Sequence, residues 1–255
     1  MTGQLDAQLQ QALADRLLAL ADDEVILGHR DAEWTGHAPI LEEDIAIANL
    51  AQDEIGHALI WYQLREDLTG RDPDETVYFR DASAYRNVQM VELPKGDWAF
   101  TMLRQYLFDV YERLLLDRLV ASTHAPLAEA AAKIRREEIY HDRHTSTWVE
   151  RLALGTEESH RRMQDGLDRL WPFAAQLFVA GPGDGALAAA GIFPDLSELQ
   201  QAWEATVRPF LEQAELTIPQ AEPLTVGRER HTHWLPILLG EMQVVARVET
   251  PETAW

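Results

Sequence analysis

Apolar residues recur at helical rather than strand spacing along almost the whole chain. Leu13, Leu17, Leu20 and Leu27 form a stripe that predicts a first helix from about residue 6 to 31. Gly36 and Pro39 mark a turn. A second helix is expected from about Leu41 to Leu68, stopped by Thr-Gly-Arg-Asp-Pro-Asp. The segment from Arg71 to Gly96 has no long periodic run and reads as an extended crossover. A third helix is expected over about Asp97–Thr123. A fourth opens at Pro126, a residue suited to a first helical turn, and ends at Gly155. Four long helices with one long connection after the second describe the ferritin-like version of the four-helix bundle.

Smaller elements follow. One helix is expected from about Thr156 to Val179 with a kink at Pro172, and Gly-Pro-Gly-Asp-Gly at 181–185 reads as a loop. Another helix follows Pro194, and a last one runs from about His231 to Val248, ahead of Pro251. The fold class is therefore all-α. A core bundle over about 6–155 carries accessory helices over about 156–248, in one domain spanning 1–255.

Composition narrows the function classes. The chain has no cysteine, which excludes disulfides and thiolate metal sites and suits a reducing cytoplasm. Its 43 acidic against 22 basic residues give a net charge of -21, which repels nucleic acid and anionic membranes. No apolar run approaches the ~18 residues of a spanning helix. The N-terminus reads as an amphipathic helix and lacks the basic start and apolar block of a signal peptide.

Two Glu-x-x-His pairs stand out, Glu54/His57 on the second helix and Glu138/His141 on the fourth. Residues three apart share a helix face and can hold one metal ion together. Chance supplies about one such pair in a chain of this composition, so position is what singles them out. Leu50, Glu54, His57, Trp61 and Leu64 form one stripe; Ala131, Ile134, Glu138, His141, Thr145 and Trp148 form another. Charge on a core stripe is costly unless it is paired or metal-bound. A third pair, Glu157/His160, sits in a first helical turn, where a solvated acid favours the helix dipole, and is read as structural.

On the first helix Glu24 lies on the apolar stripe, whereas Asp22 and Asp23 are expected to point elsewhere, into solvent. On the third, Glu112 has the drier neighbours and is favoured as a ligand, with Asp109 as a hydrogen-bonding partner or alternative ligand. The candidate metal set is Glu24, Glu54, His57, Glu112, Glu138 and His141, a carboxylate-imidazole site suited to two irons, or to manganese. A buried polar network of the same residues without metal is the competing reading. His231 and His233 are expected at an exposed helix start, and His29, His37 and His124 at turns or caps. Tyr140 is expected to point off the ligand face and to serve packing. The tryptophans are expected as core or interface anchors.

Several segments resemble the phenylacetyl-CoA epoxidase C-subunit family: Glu33-Trp34-Thr35-Gly36-His37-Ala38-Pro39 with Leu41 to Asn49, Val91 to Gly96, Arg104-Gln105-Tyr106 with Asp109, Tyr140-His141, Trp148 to Leu152, and His231-Thr232 with Leu235 to Gln243 and Trp255. The likeness runs in order through nearly the whole chain. It implies a ferritin-like partner subunit of a multicomponent, NADPH-dependent epoxidase. Such a chain pairs with the catalytic, di-iron A-type subunit, and with the other subunits of the complex, with phenylacetyl-CoA bound at or near the interface. It leaves open whether two copies also pair as a homodimer. Members of that family are regarded as catalytically silent through lost ligands, and this chain departs from them in carrying the full Glu/His set. The alternative is therefore that the chain is itself a di-iron oxygenase or oxidase; metal storage of the ferritin type ranks last.

Overall fold

The computed structural model describes residues 5–248. Pro251 and Trp255, which figure in the sequence reading, lie outside the described residues. Every regular element among those described is helical. The long ones are α1 (Ala7–Ala32), α2 (Leu41–Thr69), α5 (Trp98–Leu119) and α6 (Ala125–Ala153). None is long and apolar enough to cross a membrane.

Local chemistry sets their ends. Asp6 caps α1 by accepting from Leu9 N, and Asp97 caps α5 by accepting from Phe100 N. Gly70 ends α2 in the left-handed region at φ 69°, where a side chain would be strained. Pro126 sits in the first turn of α6. α1 packs along α2, and α5 along α6, with α2 and α6 also adjacent. Glu43 meets His144 and Trp148, while His57 meets Glu137, so α2 and α6 run antiparallel.

The crossover between α2 and α5 is more ordered than its sequence suggests. It holds α3 (Pro73–Tyr78), a 3-10 turn at Ala82–Ala84 and α4 (Gln89–Glu92). These elements are too short to show a 3.6-residue period. The accessory part comprises α7 (Glu157–Ala174), α8 (Asp184–Ala189), α9 (Leu196–Gln213) and α10 (Trp234–Met242). A Thr156/Ser159 capping box starts α7, and Asp195 caps α9. Two expectations change here. The 181–185 segment is a loop only as far as Gly183, because α8 starts at Asp184. The last helix is nine residues, Trp234–Met242, followed by a separate 3-10 turn at Ala246–Val248.

α7 and α9 pack on α5, and α4 and α8 pack on α1. From Arg16 to Gly28 every residue of α1 is consequently buried. Its three consecutive acids, about 100° apart around the helix, meet three different environments. Asp22, expected in solvent, is fully buried and accepts from Tyr62 Oη, Arg80 and the Arg86 amide. Asp23, also expected in solvent, is buried and accepts from Arg228 Nη1 at 2.7 Å and Val88 N at 2.7 Å. Glu24 faces the bundle interior. The crossover and the 227–232 segment close over α1, which a two-sided reading of that helix misses.

Candidate metal centre

Each of the six carboxylate and imidazole side chains singled out on the four long helices is buried, between 0 and 3% exposed. The bundle brings them together. Oxygens or nitrogens of Glu24, Glu54 and His57 lie within 4.8 Å of one another; so do those of Glu54, Glu138 and His141, and those of His57, Glu112 and Glu138. Glu54, His57 and Glu138 each belong to two of these groups, so the three groups form one continuous cluster. Glu112 groups with His57 across the bundle, so the site is shared more evenly than two separate triplets would be.

Asp109 belongs to none of these groups. Its Oδ1 accepts from Gln105 Nε2 at 2.9 Å and its Oδ2 from Thr145 Oγ1 at 2.6 Å. Gln105 Nε2 also donates to Glu54 Oε1 at 2.6 Å. Trp61 Nε1 donates to Glu24 Oε1 at 3.4 Å. One donor each from α2 (Trp61), α5 (Gln105) and α6 (Thr145) therefore braces the buried carboxylates Glu24, Glu54 and Asp109.

Each imidazole is held from the neighbouring helix. His57 Nε2 lies 2.7 Å from Glu137 Oε2, and His141 Nε2 lies 3.2 Å from Asp53 Oδ2. A carboxylate accepts, so the proton belongs on Nε2 and the lone pair on Nδ1. Both Nδ1 atoms face the centre: His57 Nδ1 lies 3.6 Å from Glu138 Oε1 and 3.8 Å from Glu24 Oε2. His141 Nδ1 lies 2.8 Å from Glu138 Oε1 and 3.6 Å from Glu54 Oε1. Asp53 and Glu137 escape the sequence reading, although a signal exists: an acid directly precedes each of the two Glu-x-x-His pairs.

The inner atoms have little to satisfy them. Glu24 Oε2, Glu54 Oε2, His57 Nδ1, Glu112 Oε2, both Glu138 oxygens and His141 Nδ1 are buried without an aligned hydrogen-bond partner in the chain. Such atoms are expensive to bury. Burial, then the Glu112 and Glu54 carboxylates, holds Glu24 well above the ordinary carboxylate range. Burial and Glu138 do the same to Glu112 and to Asp109. Glu138 is raised by burial, with His141 opposing. Burial lowers the pKa of His141, yet Glu138, Asp53 and Glu54 leave it raised well above the ordinary value. Four carboxylates crowded out of water attract cations, and two divalent ions would balance their charge. The donor set fits a metal pair, and the buried Glu/His group can bind metal.

The remaining polar residues separate from this centre. Asp31 and Arg104, next to it, form a fully buried pair at 3.0 Å; burial raises Asp31 to about 7. Glu157 is exposed, and His160 Nδ1 lies 2.8 Å from Ala153 O, a contact between helix ends. His231 differs from expectation. Its Nδ1 lies 2.7 Å from the buried Glu92 and its Nε2 3.0 Å from Tyr85 O, which ties the segment before α10 to the crossover. His233 is exposed against Trp234. Tyr140 is half-exposed and stacked on His144 rather than packed in the core.

A family model described as "Phenylacetic acid catabolic protein" matches residues 2–255. The C subunit of 1,2-phenylacetyl-CoA epoxidase from Escherichia coli K12 is 39% identical over 241 residues, covering 93% of this chain and 97% of the relative. The A subunit of the same organism's 1,2-phenylacetyl-CoA epoxidase is 24% identical over 207 residues, covering 79% of this chain and 67% of the relative.

Proposed function

Because the chain belongs to the phenylacetic acid catabolic protein family, we propose that it is the C-type subunit of a multicomponent phenylacetyl-CoA epoxidase, assembled with a catalytic A-type subunit. The observation that carries this reading is the end-to-end match to an epoxidase C subunit, which covers 93% of this chain and 97% of the relative. The match to the A-type relative is lower in identity and leaves about a third of it uncovered. The family resemblance implies that the A-type chain is the catalyst, with phenylacetyl-CoA at or near the interface of the two.

The same proposal gives the bundle centre a dinuclear metal site, iron or manganese. Glu24, Glu54, His57, Glu112, Glu138 and His141 would hold the ions. Oxygen and nitrogen donors of this kind suit metals that change oxidation state or bind oxygen. Within the chain, Glu137 and Asp53 keep each ring's Nδ1 lone pair turned inward, and Gln105 and Thr145 hold Glu54 and Asp109 in place. Leu27, Leu50, Trp61 and Phe108, on three of the same four helices, are buried as deeply as the carboxylates.

Deleting the gene for this chain in its own host tests the subunit role. Loss of growth on phenylacetate, restored by the chain supplied in trans, is expected. Undiminished growth on phenylacetate would end the reading.

A further inference from the structure

α2 packs against α1, α6 and α3, while the accessory helices α7, α8 and α9 pack on α1, α5 and α6. The outer side of α2 is largely exposed, although Ile55 at its edge also reaches Gly28 of α1. On it Leu41, Ile45, Ala48, Gln52, Ile55 and Leu59 follow one another at spacings of four, three, four, three and four. Leu41 is 71% exposed, Ile45 56%, Leu59 46% and Ile55 42%. That 3.5-residue period is the pattern of a seam against another helix, and it extends for about 27 Å. The core stripe through Leu50, Glu54, His57 and Trp61 occupies the opposite side and is fully used inside the bundle. A helix with a second apolar seam at coiled-coil spacing has a second helix to meet.

Gly56 points the same way. It sits in the middle of α2 on the exposed side, and a Cβ added there would meet nothing within 4 Å. A glycine inside a helix is less favourable than alanine. Nothing within the chain requires it. A second backbone approaching at this level would.

Charge selects among occupants. Glu42 and Asp44 lie at one end of the seam and Glu66 and Asp67 at the other. The one Lys or Arg of α2 is Arg65, whose guanidinium turns to Thr76. Pairing with α2 of a second copy would set acid against acid in either direction. We propose that the outer seam of α2 docks an amphipathic helix of the A-type partner, with apolar residues at the same 3.5-residue spacing and Lys or Arg on its flanks. The proposal rests on the partner-subunit reading and adds to it the surface and the chemistry of the contact.

The test uses full-length chain and the A-type subunit of the same organism, with the affinity measured in solution. I45E/L59E carries two exposed substitutions that leave the bundle core untouched. It is expected to bind at least about 10-fold more weakly while its helicity and melting temperature match the wild type. E42K/E66K/D67K is expected to weaken binding and to flatten its dependence on salt. Hydrogen exchange should show α2 protected, together with a Lys/Arg-rich helix on the partner. Wild-type affinity in both variants would overturn the seam while leaving the subunit reading intact. A homodimer of the chain alone that I45E/L59E dissolves would overturn the choice of occupant. Absence of any binding by the wild-type chain would remove the subunit reading and the seam together.

Discussion

His57 Nε2, on α2, lies 2.7 Å from Glu137 Oε2 on α6, while His141 on α6 repeats the contact in reverse with Asp53 on α2 at 3.2 Å. The two helices thus hold each other's imidazoles. Both acids are substantially exposed, with side chains 38 and 47% accessible, so neither belongs to the core. D53A and E137A should each lower metal affinity by about 10–100-fold, with little change in the melting of the metal-free chain. Chelator competition measures the first and calorimetry the second. Unchanged affinity would mean that packing alone orients the rings.

The bundle centre should take about two divalent ions per chain. Reconstitution with ferrous iron under anaerobic conditions, followed by metal analysis, measures the number. E54A/E138A removes both carboxylates shared between groups and should bring it close to zero. Wild-type metal content in that variant would move the site elsewhere.

Without metal, the crowded carboxylates work against the fold. E112L replaces a 3%-exposed acid beside Glu24 and Glu138 with an apolar side chain of similar size. Taking one acid out of a like-charged cluster relieves repulsion and removes one desolvated carboxyl. Urea unfolding should therefore find the metal-free variant at least as stable as the wild type. A loss of stability would show that the polar network itself supports the bundle.

Stability of the metal-free chain should fall as pH rises. Burial raises Asp31 from 3.8 to about 7, and Glu24, Asp109, Glu112 and Glu138 move in the same direction. A carboxyl whose folded pKa is raised binds its proton more tightly in the native state. Its contribution is complete below the unfolded value and is lost as pH climbs through the folded one. Melting temperature should therefore decline from about pH 4 to 8, with D31N showing a shallower decline between pH 4 and 7. Metal binding should strengthen over the same interval, because ions displace those protons. A melting temperature that rises with pH in the metal-free chain contradicts this.

R228A strips Asp23 of a guanidinium inside the fold, leaving a carboxylate that is 1% exposed. Removing one partner of a buried pair costs about 3–5 kcal/mol. Chemical denaturation should show a loss of that order. A change under about 1 kcal/mol would show that water reaches Asp23 once the arginine is gone.

Sequence alone determined the elements whose period maps position onto a face: four long helices, a long connection after the second, and two apolar stripes interrupted by Glu54/His57 and Glu138/His141. A 3.6-residue repeat is a local property, and so is the cost of placing charge on its buried side. What surrounds each helix is not local. Asp22, Asp23 and His231 read as solvated because nothing beside them in the chain announces Arg80, Arg228 and Glu92, which arrive from 58, 205 and 139 residues away. Asp53 and Glu137 left a trace in the sequence, an acid before each Glu-x-x-His. Their role emerged only once α2 and α6 stood side by side, because an acid can hold a histidine on another helix only where tertiary packing has chosen the neighbours.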